Sequence, residues 1–377
     1  MIGACVAWLA LALPTAAAQD EGTVDRLVEV VAEEVGPVGD EALLYRAALA
    51  GVTAHLDEVT GTPGNTVRTD AQRAAERAWA AGERHGIGIE FSIRPGEGLW
   101  ITHVFDGGPG EAAGLQVDDL VVGMGGRSLK GLSPEPVLRL LAEQRDAPTV
   151  ELVVRRGGAD PRRLAVDRGR YQMESVRVVP ESSPPCVRLS FFGAGAAGQL
   201  ARALHAAGGA GVILDLRDNE GGLIEEALAA MEPFVPEGEG LLQQVRADGR
   251  VEERLASSAA TFSGPVVVLA NRGTRGAAEA FIAALRAQGR ATVVGTRTGG
   301  DATLPTFHDL GDGLHLRLVQ TTLRGPGGET WGGRGLEADV VVEPSGPPRQ
   351  DGGGAPSPDP QWDAAIRLML GEVSASD

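Results

Sequence analysis

Two glycine-containing stretches of this sequence are suited to holding an anion with backbone amides. The first, Asn271–Gly276, is a polar turn between the apolar run Val266–Leu269 and a helical pattern at Ala277–Gln288. Such a turn lies at a helix N-terminus, where the amides lack intrahelical partners and the helix dipole is positive. The second is Gly86–Ile89, whose glycines let consecutive amides converge on one anion. Both stretches are therefore candidate functional sites.

The first turn belongs to a strand–helix–strand unit that spans residues 266–302. Val266–Leu269 has the pattern of a strand buried on both faces, and apolar residues recur at three- and four-residue steps in the helix. Gly289 ends the helix, and Ala291–Val294 is the next strand. An α/β fold is predicted because similar strand patterns occur at 187–191, 212–216, 314–321 and 339–342, and helical patterns occur at 198–207 and 223–231.

Composition narrows the classes of partner and cofactor. The chain has 377 residues, 43% of them hydrophobic, and a formal net charge of −17, which argues against nucleic acid and anionic membrane surfaces. No stretch after the N-terminal eighteen residues reaches transmembrane length, so no stable membrane span is expected. Only two cysteines and six scattered histidines are present, so we predict neither a metal site nor a cofactor.

The N-terminal region has two parts. Residues 1–18 have the pattern of a cleavable secretory signal, with the short apolar run Val6–Leu13 followed by Ala16-Ala17-Ala18. This predicts an extracytoplasmic, periplasmic or secreted protein. Three helices, at 24–35, 41–56 and 69–81, are predicted to form an N-terminal arm.

Residues 85–168 resemble a PDZ domain. Two alternating strands separated by a Pro-Gly-Glu-Gly turn are followed by Ala112-Ala113-Gly114-Leu115, a helix at Pro134–Glu143 and a strand at Thr149–Val154. In that resemblance, the loop Gly86, Ile87, Gly88 and Ile89 holds the C-terminal carboxylate of a peptide, and the adjoining strand edge accepts the peptide as an extra strand. The helix supplies the other wall of the groove, with Val137, Leu138 and Leu141 as its expected lining.

The chain as a whole resembles the C-terminal-processing (tail-specific) serine peptidases. The most specific signal is GVILDLRDNEGG at Gly211–Gly222, supported by GRATVVGTRTGG at Gly289–Gly300 and GLEADVVVE at Gly335–Glu343. The resemblance implies a crotonase/ClpP-like α/β peptidase core with an inserted PDZ domain and a helical N-terminal arm. It also implies a serine–lysine dyad, in which a neutral lysine takes the proton of the serine and backbone amides hold the oxyanion.

The residues of this dyad are absent at the matching positions. The family stretch Asn-Arg-Gly-Ser-Ala-Ser-Ala-Ser-Glu aligns with Asn271–Glu279 and puts the attacking serine at Gly276. The stretch Thr-Phe-Gly-Lys-Gly aligns with Thr298–Ala302 and puts the lysine at Asp301, and the glutamine that orients the lysine falls on Pro305. The sequence therefore predicts a catalytically degenerate member.

The expected oxyanion region is only partly kept. Its backbone positions are Gly221, Gly222 and Ala277, but Glu220 stands where the family usually has proline. A carboxylate that pointed into this region would oppose a developing negative charge. Glu279 is interpreted as a solvated or helix-N-terminal carboxylate, and Trp331 as a loop anchor.

Two alternatives to loss of catalysis are open, and a third, a shifted register, fails. A displaced hydroxyl of Thr274 or Thr303 is one candidate nucleophile, although Thr274 is also placed to cap the helix. An acidic metal site could be formed by Glu220, Asp301 and Glu225. A shifted register does not restore the dyad, because 271–279 contains no serine and 296–306 contains no lysine.

These observations predict a secreted or periplasmic, non-catalytic protein that binds peptide or protein C-termini, with an active homologous protease as a further possible partner. The alternative is an active serine-type or other peptidase with relocated catalytic residues. The predicted domains are a signal peptide at 1–18, a helical arm at 19–84, a PDZ domain at 85–168, an α/β core at 169–344, a flexible linker at 345–360 and a C-terminal helix at 361–377.

Overall fold

The computed structural model describes residues 23–35, 41–179, 182–209, 211–344 and 359–372. The predicted signal peptide and residues 345–358 of the predicted linker lie outside this part of the chain. Contacts divide the chain into two units, residues 1–73 with 305–320 and residues 74–304 with 321–377. Residues 305–320, which the sequence assigns to the core, therefore group with the N-terminal residues. The predicted domain boundaries stay a prediction.

The first unit contains α1 (Thr23–Val35), α2 (Glu41–Thr60), β1 (Thr66–Thr69) and most of β17 (Thr303–Gly311). Strand β1 pairs antiparallel with residues 314–317 of β18 (Leu314–Arg324). The predicted helices are confirmed, but the apolar face expected on α2 is incompletely covered, since Leu43 is 56% exposed and Val52 is 60% exposed. No helix in the described ranges is long and apolar enough to cross a membrane.

The second unit begins within α3 (Asp70–Ala80) and contains the segment that resembles a PDZ domain. Its sheet has the order β3-β4-β5-β7-β8, with the short strand β6 paired to β5. The helix α5 lies beside the edge strand β3. The sheet strands are β3 (Ile89–Arg94), β4 (Gly98–Val104), β5 (Leu120–Met124), β6 (Arg127–Ser128), β7 (Thr149–Arg155) and β8 (Arg162–Asp167), and the helices are α4 (Pro109–Ala112) and α5 (Pro134–Glu143).

A two-stranded ribbon connects this domain to the rest of the unit. It consists of β2 (Glu83–Gly86) and β9 (Gly169–Gln172), paired from Glu83 with Gln172 to Gly86 with Gly169. The strand predicted at Gly86–Phe91 is therefore broken, because β2 ends at Gly86 and β3 begins at Ile89. Gly88 lies between them at φ +68°, a backbone conformation that glycine adopts without a steric penalty.

The α/β core is built on a six-stranded sheet of order β10-β11-β12-β15-β16-β19. All neighbours except the antiparallel β10–β11 pair are parallel. One face packs against three helices and the other packs against the C-terminal helix. The strands are β10 (Val176–Val179), β11 (Cys186–Leu189), β12 (Val212–Asp215), β15 (Val266–Ala270), β16 (Thr292–Gly295) and β19 (Val340–Val341), and the helices are α6 (Ala196–Ala207), α7 (Ile224–Met231), α8 (Ala277–Ala287) and α9 (Pro360–Met369).

Two-sided coverage explains why β15 and the first three residues of β12 are apolar. Each residue of β15 is buried, with Val268 facing the α6–α8 side and Val267 facing the α9 side. The spacing of Trp362, Ile366, Met369 and Leu370 in the sequence predicts that all four lie on one face of this helix. The first three pack against the sheet as predicted, but Leu370 is 62% exposed and lies just beyond the helix end.

The remaining strands of the second unit form an antiparallel group. Strand β13 (Gly240–Arg246) pairs with β14 (Val251–Leu255) on one side and with residues 321–324 of β18 on the other. The part of the fold that matters for the site is the neighbouring β12–β15 pair, in which Asp215 lies opposite Leu269. Because parallel strands end at the same edge of a sheet, the loops that follow these two strands meet.

Candidate functional site

The loops after β12 and β15 are joined by hydrogen bonds at their bases. The Asp218 amide donates to Oδ1 of Asn271 at 2.9 Å, and Nδ2 of Asn271 donates to Oδ1 of Asp218 at 2.9 Å. Further along, the Arg275 amide donates to the Asn219 carbonyl at 2.8 Å. These bonds fix the two loops side by side and bring Gly221 next to the start of α8.

Gly276 is the N-cap of α8 and has φ +57° and ψ −121°. This is a strained conformation for a residue with a side chain, of the kind found at the strand-to-helix turn that exposes a nucleophile. A Cβ at Gly276 would have no close neighbour, since the nearest atoms are the Glu220 carbonyl oxygen at 3.8 Å and the Gly221 Cα at 3.9 Å. The turn therefore keeps the space for a side chain, but glycine supplies no atom that attacks a carbonyl.

The amides of the predicted oxyanion region are brought together. A Cβ at Gly221 would lie 3.0 Å from the Ala277 nitrogen. The Gly221 amide is used by Oδ1 of Asn219 at 2.9 Å. Among the described residues, the amides of Gly222 and Ala277 have no hydrogen-bond acceptor. Two of the three predicted positions can therefore still donate to an anionic oxygen.

Glu279 has a bracing role at the site that the sequence interpretation did not assign. Its side chain is fully buried, so a solvated carboxylate is wrong, whereas a helix-N-terminal carboxylate is confirmed by its place in the first turn of α8. Its Oε2 accepts from the amides of Gly276 at 3.1 Å and Asp301 at 2.7 Å. Its Oε1 accepts from the Gly300 amide at 2.7 Å and from the Thr298 hydroxyl. Burial raises the pKa of Glu279 above its usual value, although these four donors act in the opposite direction.

Asp301, which the sequence alignment predicts at the lysine position, has its carboxylate turned to its own loop. Oδ1 accepts from the Thr303 hydroxyl at 2.7 Å and from the Thr303 amide at 3.1 Å. The Asp301 carbonyl accepts from Nε1 of the fully buried Trp331 at 3.1 Å, which confirms Trp331 as a loop anchor. Pro305 lies in β17, within the first unit, and its side chain has no donor or acceptor to orient a base.

The hydroxyl of Thr274 is buried and has hydrogen-bond partners within the protein. It donates to the Leu216 carbonyl at 2.8 Å and accepts from the Asn271 amide at 3.0 Å, and the residue is 0% exposed. Thr274 therefore fastens the turn to the loop after β12. The expectation that it caps α8 is wrong, because the N-cap residue is Gly276 and the side chain that bonds there is that of Glu279.

The acidic residues near the site do not converge. Glu220 is exposed. Glu225 is paired with Arg254 at 2.7 Å. Within the described ranges, no group of three histidine, cysteine, aspartate or glutamate side chains is arranged to hold a metal ion.

No other nucleophile or base of the family type replaces the dyad. The sequence contains a single lysine, Lys130, which is exposed in the loop after β6. The sequence itself shows that the chain has no second lysine that could serve as a base, which is stronger evidence than the replacement at one position. Cys186 is buried in β11, and burial together with Asp215 raises the pKa of its thiol to about 12, so it is protonated at neutral pH.

The peptide-binding loop predicted in the PDZ-like segment is present between β2 and β3. Within the described residues, the amides of Ile87 and Gly88 have no hydrogen-bond acceptor, and no strand pairs with the outer edge of β3. A Cβ at Gly86 would lie 3.7 Å from Nη1 of Arg168, a cation that the sequence interpretation did not single out. Arg168 is positioned by bonds from its Nε and Nη2 to the carbonyls of Ala147 and Gln144, both at 2.9 Å.

The predicted lining of the groove by α5 needs one correction. Val137 is 1% exposed and belongs to the domain core, so it does not line the groove. Leu141 is partly buried against that core, whereas Leu138 is 55% exposed. The helix therefore offers Leu138 and Leu141 to a ligand.

Comparison with protein families gives two matches. Residues 186–342 match the model of peptidase family S41, and residues 100–156 match a PDZ domain model. The first range covers most of the α/β core, and the second runs from β4 to just beyond β7, so that the loop at 86–89 and the edge strand β3 precede it.

Curated relatives are carboxyl-terminal processing proteases. The carboxyl-terminal-processing protease of Synechocystis is 30% identical over 338 residues, which cover 87% of this chain and 77% of that protein. The carboxy-terminal processing protease CtpA of Bacillus subtilis is 27% identical, with 81% of this chain and 65% of the relative covered. A probable CtpA-like serine protease of Staphylococcus haemolyticus is 26% identical, and this chain spans only 60% of its length.

Solved structures agree with the fold. The photosystem II D1 C-terminal processing protease is 25% identical with a TM-score of 0.52, over 86% of this chain and 88% of that chain. A putative S41 protease of Bacteroides fragilis has a TM-score of 0.59 at 19% identity, over 85% of this chain and 90% of that chain, and shows likeness of fold alone. The predicted fold class, an α/β peptidase core with an inserted PDZ domain, is confirmed.

Proposed function

This chain belongs to peptidase family S41, among the C-terminal processing proteases with a PDZ domain, and we propose that it binds the C-termini of other proteins without cleaving them. The observation that carries the proposal is Gly276. It stands at the turn that is shaped to present a side chain, with the space for that side chain empty. Without a hydroxyl or thiol at this point, no covalent acyl intermediate forms.

The base is absent as well. A serine–lysine mechanism needs a lysine that burial keeps neutral, and the only lysine of the chain is exposed in the PDZ domain. Asp301 offers a carboxylate at the matching position, but its side chain is bonded to Thr303. Either loss alone removes the covalent route, because that route needs both a nucleophile and a base.

The geometry also argues against relocated catalysis. Thr274 is inaccessible to a substrate, and its hydroxyl has both a donor and an acceptor partner inside the protein. The Thr303 hydroxyl donates to Asp301 within a two-residue turn. Neither hydroxyl is adjacent to a lysine or histidine that would take its proton.

The PDZ domain retains the groups needed to bind the C-terminus of a peptide. Two free amides, the Arg168 guanidinium and the open edge of β3 lie around one loop. In this proposal, the loop holds the terminal carboxylate through charge-assisted hydrogen bonds, and the edge of β3 pairs with the preceding residues as an added strand.

The location and the partners are part of the same proposal. The N-terminal apolar run supports export from the cytoplasm, so the ligands would be C-termini of extracytoplasmic proteins. An active homologous protease is a further proposed partner, which this protein would supply with bound substrates.

Two measurements test the proposal. The first is hydrolysis of casein and of chromogenic peptides by the purified protein, with Thr274→Ala and Thr303→Ala as comparisons. We expect no turnover above the buffer blank, and hydrolysis that one of these substitutions abolishes would establish the alternative enzyme. The second is titration with one peptide in free-acid and C-terminally amidated forms. We expect binding of the free acid only, and equal binding of both forms would disprove the carboxylate role of the loop.

A further inference from the structure

Strand β10 forms one edge of the core sheet, and its outer side is open. Within the described residues it pairs only with β11. The Ser190 amide donates to the Ser175 carbonyl at 2.9 Å, so Ser175 and, two residues on, Arg177 are bonded to β11. Bonded and unbonded positions alternate along an antiparallel strand, so the N–H and C=O groups of Val176 and Val178 point outward. These four groups are available to an added strand.

A groove of about 550 Å³ lies beside this edge, between β10 and α6. Val176 packs against the core on the α6 side of the sheet, and Val178, two residues on, points to the same side. Val178 is nevertheless 53% exposed. The helix lines the groove with the small side chains of Ala203 and Ala206, which do not cover this valine. This part of the groove is therefore apolar and unfilled.

The rest of the groove carries polar groups that lack partners. Arg202 lies on the same side of α6 as Ala206, four residues on, and forms no ion pair with any described residue. Ser175 lines the groove and is only 5% exposed, yet its hydroxyl has no hydrogen-bond partner in the described part of the chain. A Cβ at Gly193 would lie 2.6 Å from this hydroxyl, which places it beside the loop that leads into α6. A buried hydroxyl and an unpaired guanidinium both favour an anionic ligand group.

The polar and apolar parts of the groove follow one another along its length. Strand β10 runs opposite to β11, and α6, which joins the parallel strands β11 and β12, also runs opposite to them. Strand and helix therefore run in the same direction, with Ser175 near the start of both and Val178 nearer to Ala206. Alternate residues of an added strand point to the same side and lie about 7 Å apart. One such residue reaches the polar part and the next reaches the apolar part.

From this we infer that the groove between β10 and α6 binds an extended segment of a partner protein, in which an acidic side chain lies two residues from an apolar one. The backbone of the segment pairs with Val176 and Val178 as an added strand. The acidic side chain accepts hydrogen bonds from the Ser175 hydroxyl and the Arg202 guanidinium, and the apolar side chain covers Val178. Glu174 also lines the groove, but it is exposed, so water and salt screen its charge. This groove is separate from the PDZ loop, and the inference does not depend on the proposed function.

The test uses the full chain and two ten-residue peptides with an N-terminal fluorescein and a C-terminal amide. One contains Thr-Glu-Thr-Val-Thr and the other Thr-Val-Thr-Glu-Thr, because the two directions of an added strand place the acid at opposite ends. Neither has a terminal carboxylate for the PDZ loop to bind. Fluorescence anisotropy should show saturable binding of one of them, and lysine for its glutamate or serine for its valine should weaken binding about tenfold. No saturable binding, or equal binding of the glutamate and lysine forms, would overturn the inference.

Val178→Pro checks the strand edge. The N–H group of Val178 points outward, so proline removes a donor to the ligand and leaves the bonds between β10 and β11 in place. Binding should weaken at least tenfold. The matched control is Val251→Pro in the edge strand β14, where valine is also 53% exposed. Its amide also points outward, because the Arg246 amide donates to the carbonyl of the preceding Arg250. The control should bind the peptide as the native chain does, and equal losses in the two variants would overturn the inference.

Arg202→Ala checks the charge. This variant should bind the glutamate peptide and its glutamine form with equal affinity, whereas the native chain and Arg139→Ala, a change at an exposed arginine of α5, should prefer glutamate. A preference that survives in Arg202→Ala would overturn the assignment of Arg202. Sedimentation of the native chain and Val178→Pro addresses the other occupant of an open edge, a second copy of this chain. A native dimer that Val178→Pro converts to a monomer would overturn the inference.

Discussion

The amides of Gly276 and Asp301 donate to the same atom, Oε2 of Glu279, at 3.1 and 2.7 Å. These are the two positions predicted to match the family's serine and lysine, and one buried carboxylate joins them. Because the contacts are made by backbone amides, they do not depend on which side chains the two positions carry.

Replacing Glu279 should be strongly destabilising. Glu279→Ala leaves three buried amides and the Thr298 hydroxyl without their acceptor, and we expect a loss of about 3 kcal/mol in the free energy of unfolding. Urea denaturation would measure it. Glu237→Ala, at an exposed glutamate, serves as the control and should leave the midpoint unchanged. A similar midpoint for the two variants would contradict the bracing role.

The raised pKa of Glu279 makes a signed prediction for the effect of pH on stability. The folded protein holds this proton to a higher pH than the unfolded chain does. The contribution of Glu279 is therefore most favourable below the ordinary glutamate pKa and declines as the pH rises through the raised, folded-state pKa. Unfolding free energies of the native chain and Glu279→Gln should be compared across this window. The difference between the two should move in favour of Glu279→Gln as the pH rises, and a constant difference would contradict the assignment.

Asp119 in the PDZ domain should show the opposite sign. Burial alone would raise the pKa of this carboxyl, but bonds from Arg156 at 2.6 and 2.8 Å and from the Gln116 amide lower it. Its contribution is present above the ordinary aspartate pKa and is lost as the pH falls through the lowered one. Asp119→Asn should lower the free energy of unfolding by about 2 kcal/mol at neutral pH. The variant should then lose less stability than the native chain as the pH falls. Asp160→Asn, an exposed change, should reproduce the native pH profile.

Gly276→Ser should fold and remain inactive. The substitution should lower the free energy of unfolding by about 1 to 2 kcal/mol, because the backbone conformation disfavours a side chain although the space for one is free. Gly222→Ser is the informative contrast, since a Cβ there would overlap the Phe192 backbone, and its loss of stability should be larger. A serine-reactive covalent probe should not label Gly276→Ser, because no lysine is available as base. Labelling would show that another group activates the new hydroxyl.

The C-terminal helix should be held by its first turn. Asp359 accepts from the amides of Gln361 and Trp362 at 3.1 Å, and its other oxygen accepts from Nη1 of Arg217 at 2.6 Å. Asp359→Ala removes the cap and the ion pair, and it should lower the free energy of unfolding by about 1 to 2 kcal/mol. Amide hydrogen exchange within Pro360–Met369 should become faster in this variant. Asp363→Ala, in the same turn, leaves the cap in place and should change exchange much less.

The sequence alone determined the strands of the α/β core, because apolar runs that end in glycine loops are typical of parallel strands buried on both faces. The grouping of Gly221, Gly222 and Ala277 was implied by the family resemblance and not by the strand pattern. The missing hydroxyl at Gly276 and the single lysine were equally readable, since folding cannot supply a side chain that the chain does not encode.

Tertiary structure decided which polar and apolar groups are buried. Glu279 changed from an expected solvated carboxylate to the buried acceptor of four donors because residues 298–301, which follow the next strand, fold back onto it. Val137 belongs to the core and Leu138 to the groove because α5 is rotated by its packing beside β3. The Thr274 hydroxyl donates a hydrogen bond to the loop after β12 and does not cap α8. Burial depends on neighbours distant in the chain, and local sequence patterns do not contain that information.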